Sequence, residues 1–227
     1  MKKILMSLSL LLSALTLSAQ SKVGTFSLIP KIGVSLSNLV NNDIVYDNVT
    51  VEAKRQAGFV GGLEAAYQVT DQIAVSMAAM YSQAGCRYKD FEEVVDDANH
   101  VGVSGMRYRL QYIQVPVMLN VYVAPGLAVK AGVQPGFLLD ANYAVKDQPI
   151  AVSKTGEKTY GAITRTEDDS KDGFHSFDFS VPVGVSYEYM NVVLDARYNI
   201  GVTRVFKQGD SCSNSIIDVT VGYKFDL

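Results

Sequence analysis

The feature that most constrains this chain is a strict alternation of apolar and polar residues over positions 216–227, which read IIDVTVGYKFDL. Apolar side chains occupy the odd positions from Ile217 to Leu227, and polar or small residues fill the even positions from Asp218 onward. A period of two places successive side chains on opposite faces of the backbone, so it predicts a β-strand with one apolar and one polar face.

The same alternation recurs in further segments along the chain, at 26–37, 56–69, 73–86, 107–123, 127–139, 177–189 and 192–202. Segments of about ten or more alternating residues have the length of a tilted transmembrane strand. Aromatic residues cluster towards the ends of the segments, on the same face as the apolar residues. Aromatic residues take these positions at a membrane interface. The pattern therefore disfavours a soluble lipocalin-like barrel, whose apolar face points inward.

The connections between these segments alternate between long and short, and the long ones are 38–54, 87–105, 140–176 and 203–214. Outer-membrane barrels show this asymmetry, because short turns face the periplasm and long loops face outward. We therefore predict an all-β fold, an eight-stranded antiparallel transmembrane β-barrel with short periplasmic turns and long extracellular loops.

The start of the chain has the composition of an export signal. Lys2 and Lys3 precede an apolar stretch at 4–17, and Ser18-Ala19-Gln20 offers a small-residue cleavage site. This pattern predicts a secretory signal peptide at 1–19 and a single barrel domain at 20–227. No later apolar run approaches the ~20 residues of a membrane helix, so only a closed barrel could cross a bilayer.

The charge balance argues against nucleic acid as a partner, since 20 Lys and Arg residues face 23 Asp and Glu residues. Nucleic-acid binding requires a basic patch. Most charged residues of the predicted strands lie on the face opposite to the apolar one. They are Lys31, Glu64, Lys130, Asp178, Glu188, Asp195, Arg197, Asp218 and Lys224. Because side chains fill an eight-stranded lumen, we expect a paired polar plug; the alternative is a narrow ion or proton path.

Four prolines fall within the predicted strands, at Pro30, Pro116, Pro135 and Pro182. Proline removes a donor from the ladder, and a closed barrel has no edge to hide it. Folding the chain about the turn at 124–126 places Pro116 nearly opposite Gln134 and Pro135. A bulge or lost ladder bonds are predicted there.

Two cysteines, Cys86 and Cys212, lie at or beyond strand ends on the same predicted side of the barrel. An exported protein can form a disulfide. The segments that carry the two cysteines are not neighbours in sequence order. The pattern leaves a disulfide and two unpaired thiols as alternatives.

Catalytic and metal-binding signals are weak. The two histidines, His100 and His175, fall in predicted loops, and no nucleophile-elbow, zincin or Cys-x-x-Cys motif is present. The acidic run at 92–97 lacks the spacing of a calcium loop and is expected to be solvated. We expect no enzyme activity, no cofactor and no metal.

Two sets of residues resemble known outer-membrane proteins. Thr220, Gly222, Phe225 and Leu227 are similar to the C-terminal signal by which the barrel-assembly machinery recognises a last strand. The run YIQVPVML at 112–119 resembles a strand of the PorT-like outer-membrane β-barrel proteins of Bacteroidetes, and the runs at 58–62, 130–132 and 195–201 are also similar.

The PorT-like resemblance covers the whole exported part of the chain. It implies an integral outer-membrane protein in contact with lipid and lipopolysaccharide, with an envelope protein as partner. It also implies a link to secretion or envelope assembly, because the founding member belongs to a secretion and gliding apparatus.

These observations favour a non-catalytic membrane scaffold whose extracellular loops bind a partner or ligand. The alternative from the transport class is a small porin or narrow channel for ions and small solutes. A third class, a lipid-modifying or proteolytic barrel enzyme, would need a catalytic dyad near the outer rim.

Overall fold

The computed structural model describes residues 21–46, 49–209 and 211–227, so the predicted signal peptide at 1–19 lies outside the described residues. No helix in the described ranges is long and apolar enough to cross a membrane. The strands are β1 (Phe26–Val40), β2 (Ile44–Tyr46), β3 (Val49–Val51), β4 (Lys54–Gln68), β5 (Ile73–Arg87), β6 (Phe91–Val94), β7 (Asn99–Gln114), β8 (Val117–Ala124), β9 (Leu127–Val152), β10 (Lys158–Tyr160), β11 (Thr164–Asp168), β12 (Phe177–Tyr189), β13 (Val192–Gly201), β14 (Ser213–Tyr223) and β15 (Phe225–Asp226).

The wall strands form a closed antiparallel ring in the order β1, β4, β5, β7 with β8, β9, β12, β13 and β14 with β15. The ring closes because β1 pairs with β4 on one side and with β14 and β15 on the other. Since β7–β8 and β14–β15 each act as one wall strand, the predicted eight-stranded antiparallel barrel is confirmed. A closed ring leaves no unpaired strand edge, which lipid could not satisfy.

The apolar parity of the strands faces outward. Ile32 is 61% exposed and Val117 is 44% exposed, whereas Lys31 and Met118 on the opposite parity are only 1% and 2% exposed. Exposed aromatic residues lie near both ends of this outer surface, and they include Phe26, Phe59, Tyr67, Phe137, Phe177, Tyr189, Tyr223 and Phe225. The predicted assignment of faces is therefore confirmed, with an apolar band and aromatic girdles outside and polar groups inside.

The ladder is interrupted at Pro116, whereas Pro30 and Pro182 each keep a pairing partner on one side, Leu63 and Asn199. β7 ends at Gln114 and β8 begins at Val117, so the wall strand breaks around Pro116. On one side of the break Gln114 pairs with Gly136, and on the other Val117 pairs with Val133. The predicted loss of a ladder bond is confirmed at Pro116, which has no N–H to donate, whereas Val115 still donates to the Pro135 carbonyl at 2.8 Å.

The extracellular connections contain more strand than predicted. The prediction of a loop over 140–176 is wrong for its first part, because β9 continues to Val152. This extension pairs with β7 as far as the Asn99–Ala151 pair. Strands β10 and β11 fold back onto β9, and β6 forms a hairpin with β7. We call β6, β10, β11 and the outer ends of β7 and β9 the extracellular sheet. The pairing of β7 with β9 joins segments far apart in the chain, which local alternation cannot reveal.

Candidate functional site: the closed lumen

The middle of the lumen contains a cluster of ion pairs around the carboxylate of Asp195 on β13. The Lys130 ammonium lies 2.5 Å from Asp195 Oδ2, and the Lys31 ammonium lies 3.2 Å from the same oxygen. Both lysines also reach Glu64 on β4, at 2.7 Å for Lys31 and 3.7 Å for Lys130. Side chains of all four residues are at most 5% exposed.

These contacts cross the barrel. Lys31 on β1 and Lys130 on β9 come from opposite sides of the ring, yet both contact the same two carboxylates. Side chains that meet from opposite walls leave no aqueous path between them at that level. We call Lys31, Glu64, Lys130, Asp195, Arg197 and Asp218 the central cluster.

Arg197 and Asp218 complete the central cluster and balance its charge. Arg197 Nε lies 3.1 Å from Asp195 Oδ1, an ion-pair contact without the alignment of a hydrogen bond. Asp218 pairs with Arg197 in the β13–β14 register and accepts a 2.6 Å hydrogen bond from the amide of Asn199. Three cations thus face three carboxylates, which offsets much of the cost of burying charge.

A second ion pair lies towards the periplasmic end. The Lys224 ammonium donates to both carboxylate oxygens of Glu188, at 3.0 and 2.8 Å. A cavity of about 30 Å³ lies between this pair and the Glu64–Lys130 contact. That volume has room for about one water molecule rather than for a continuous column.

Towards the outside, polar groups give way to an apolar plug. Asp178 accepts hydrogen bonds from Asn214 at 2.9 Å and from Thr203 at 3.3 Å. Above it lies the outer apolar cluster, whose buried members are Leu39, Val51, Ala84, Cys86, Tyr88, Leu110, Tyr112, Leu138, Ala141, Phe174, Val205, Cys212 and Ile216. Phe174 and Phe206, from two extracellular connections, pack with ring centroids 5.0 Å apart, so both connections fold inward as a lid.

The comparison with protein families decides what kind of barrel this is. A family model described as "Outer membrane protein beta-barrel domain" matches residues 18–207. The chain belongs to this family. It is an integral outer-membrane barrel, and this location places it in contact with lipid and lipopolysaccharide.

Several solved structures of outer-membrane barrels are similar to the chain. Ail, the attachment invasion locus protein of Yersinia pestis, is 17% identical over 89% of this chain and 99% of its own, with a TM-score of 0.41. Neisserial surface protein A is 14% identical over 88% and 97%, with a TM-score of 0.45. OprG from Pseudomonas aeruginosa is 15% identical over 91% and 98%, with a TM-score of 0.38. No curated protein sequence matches the chain significantly.

The structure does not form the disulfide that the sequence left open. Cys86 and Cys212 are both free thiols in the outer apolar cluster of this barrel. Burial raises the pKa of the Cys212 thiol to about 11 and also raises that of Cys86. Both side chains therefore stay protonated at neutral pH and pack as small apolar groups.

Neither histidine is buried in the lumen: His100 contacts the extracellular sheet, and His175 is exposed. His100 Nδ1 is 2.5 Å from Glu92 on the extracellular sheet, and Lys158 is 2.7 Å from the same carboxylate. Hydrogen bonds from His100 and Lys158 lower the pKa of Glu92. The acidic run therefore uses Glu92 in a salt bridge, and no group of metal-ligating side chains occurs among the described residues.

The last strand presents its predicted signal residues on two faces. Thr220 lies in the lumen, whereas Phe225 is 50% exposed and Leu227 is 78% exposed on the outer surface. The backbone N–H of Leu227 donates to the Phe26 carbonyl at 2.8 Å, which joins the end of the chain to β1.

Sequence reasoning named the charged lumen residues but not the uncharged ones that surround them. Asn199 binds Asp218, Asn214 binds Asp178, and Gln134 donates to the Ser180 hydroxyl at 3.2 Å. These residues share the inward parity of the charged set, so the same alternation could have identified them.

Proposed function

We propose that this protein is a non-catalytic outer-membrane scaffold, in which a closed barrel carries an extracellular sheet that binds a partner or ligand. The single observation behind the proposal is the central cluster, whose ion pairs join opposite walls of the barrel. A transport protein needs a continuous aqueous path, and this lumen is filled by side chains at several levels.

The extracellular sheet offers a surface suited to binding. Tyr160 on β10 is 60% exposed and Ile163, which follows it, is 62% exposed. These exposed apolar side chains give the extracellular sheet an apolar surface that a partner can cover. Strand β10 pairs with β9 along one side only, so its other edge is open to strand addition by a partner.

Three finer features belong to the same proposal. The PorT-like resemblance of residues 112–119 supports a role linked to secretion or envelope assembly. The C-terminal residues Thr220, Gly222, Phe225 and Leu227 serve the barrel-assembly machinery as a recognition signal, and residues 1–19 direct export. The histidines, His100 and His175, take no part in catalysis.

Liposome swelling separates this scaffold from the alternative, a small porin. We expect liposomes that contain the refolded protein to swell in arabinose no faster than protein-free liposomes, because the outer apolar cluster closes the lumen. Heat-modifiable gel mobility of the same sample shows that the barrel is folded. Swelling that rises with the amount of folded protein would contradict the scaffold and favour the porin.

A further inference from the structure

A cleft of about 840 Å³ lies in the barrel wall where β4 and β5 separate near their extracellular ends. The ladder between these strands is broken between Arg55 and Val60, and Gly85 on β5 adopts a φ of 124°. The hydroxyls of Ser35 and Ser37 on β1 donate to the carbonyl oxygens of Gln83 and Gly85, at 2.5 and 3.0 Å. Hydrogen bonds from within the barrel therefore stabilise the opening.

Three arginines line this cleft, and their charges are not balanced. Arg87 and Arg107 lie opposite each other in the β5–β7 register, and Arg109 lies opposite Gly85. No salt bridge in the described residues includes any of the three. The acidic residue of the lining, Asp90, accepts a hydrogen bond from the backbone N–H of Gly105 at 3.0 Å.

Arg107 carries the clearest sign of a missing partner. Its Nε is buried and has no hydrogen-bond acceptor among the described residues. Arg107 also lines a second cavity of about 110 Å³, together with Lys146 and Arg165. A buried guanidinium N–H without an acceptor costs free energy, so a ligand that supplies an acceptor at Arg107 would stabilise this site.

Further cations surround the cleft. Lys54 pairs with Arg87 in the β4–β5 register. The neighbouring Lys89 side chain is the largest cause that lowers the pKa of Lys54, desolvation and Arg87 add to this effect, and Glu52 opposes it. Neighbouring cations disfavour one another's charged forms, and Lys89 is the largest cause of this shift. Such a surface concentrates anions before they bind.

The height of the cleft indicates where its anion comes from. Tyr81 and Ile113, which pair across β5 and β7, are the last apolar outward residues before Gln83 and Gln111. The Tyr81 ring packs against Phe59, with centroids 6.3 Å apart, and aromatic residues of this kind mark the membrane interface. Arg109 is four residues beyond Ile113, or about 13 Å along the strand, which places it at headgroup height.

We propose that this arginine cleft binds a phosphate group of an outer-leaflet glycolipid. The guanidinium fork matches phosphate geometry and forms short, charge-assisted hydrogen bonds with it. Free phosphate offers the same chemistry, but the cleft opens on the wall directly above the lipid-facing band. A lipid bound there keeps its acyl chains against the apolar surface around Phe59 while its headgroup occupies the cleft.

The test measures lipid binding to the refolded full barrel in phosphatidylcholine nanodiscs that contain either bisphosphorylated or fully dephosphorylated lipid A. Retained lipid A is counted by native mass spectrometry. The test variant is Arg107→Gln with Arg109→Gln, and the matched control is Lys154→Gln with Lys207→Gln. The control removes the same charge from exposed extracellular positions outside the cleft.

We expect the wild type and the lysine control to retain bisphosphorylated lipid A, and the arginine variant to bind it about tenfold more weakly or worse. Equal retention by the arginine variant, equal loss in the control, or equal binding of dephosphorylated lipid A would each overturn the proposal. Full displacement by inorganic phosphate at matched phosphate concentration would overturn the lipid source. If the double variant fails to fold, Arg109→Gln alone, at an exposed position, answers the same question.

Discussion

Replacing Asp195 by alanine is expected to lower the free energy of unfolding by about 3–5 kcal/mol, the cost of removing one partner from a buried ion pair. The Asp195 side chain is fully buried and contacts Lys31, Lys130 and Arg197. Its removal leaves three buried cations facing two carboxylates in the central cluster. Urea unfolding of the refolded protein in detergent micelles, followed by tyrosine fluorescence, measures the change.

The matched control removes a cation together with the carboxylate. Asp195→Leu with Lys130→Met restores the charge balance and fills similar volume, so its loss of stability should be clearly smaller than that of Asp195→Ala. Lys31 keeps Glu64 as its partner in this variant. If Asp195→Ala instead unfolds at the same urea concentration as the wild type, the lumen charges are solvated and the packed interior described above is wrong.

The second large effect that we expect is a loss of stability when arginine replaces Val117. Val117 lies on the outward parity at the middle of the lipid-facing band, where arginine costs about 2–4 kcal/mol. The expected result is a lower free energy of unfolding in lipid vesicles and a smaller folded fraction on heat-modifiability gels.

Val123→Arg is the control for depth. Val123 belongs to the same wall strand and face, and it is 61% exposed next to the periplasmic turn. An arginine near the interface costs only about 0–1 kcal/mol because its charge reaches the headgroups. Equal stability of both variants and the wild type would mean that the outer face does not contact lipid as assigned.

The parity of the sequence predicted most of the barrel, and long-range pairing accounts for what it did not predict. Alternation located the wall strands and their faces, and the lack of an N–H on Pro116 predicted the break between β7 and β8. The extension of β9 to Val152 depends on β7 as its partner, which lies many residues away in the chain. Local composition, with Lys146, Asp147 and Gln148 in sequence, is typical of a loop.

The sequence predicts which charged residues face the lumen, but not which of them contact one another. Parity places Lys130 and Asp195 inside, yet they belong to β9 and β13, which are not adjacent strands. Their 2.5 Å contact spans β12, whose Gly184 pairs with Lys130 on one side and with Arg197 on the other, so no single segment encodes it. The arginine cleft likewise depends on the break in the β4–β5 ladder, and nothing in the alternation of residues 54–87 reveals that break.

Single-channel recording in a planar bilayer tests the central claim, that side chains close the lumen, most directly. We predict no conductance steps from the refolded protein, because Lys31 and Lys130 meet the same carboxylates from opposite walls. Reproducible steps from a preparation shown to be folded would contradict the claim. They would also make Glu64, Lys130 and Arg197 the first residues to mutate as determinants of ion selectivity.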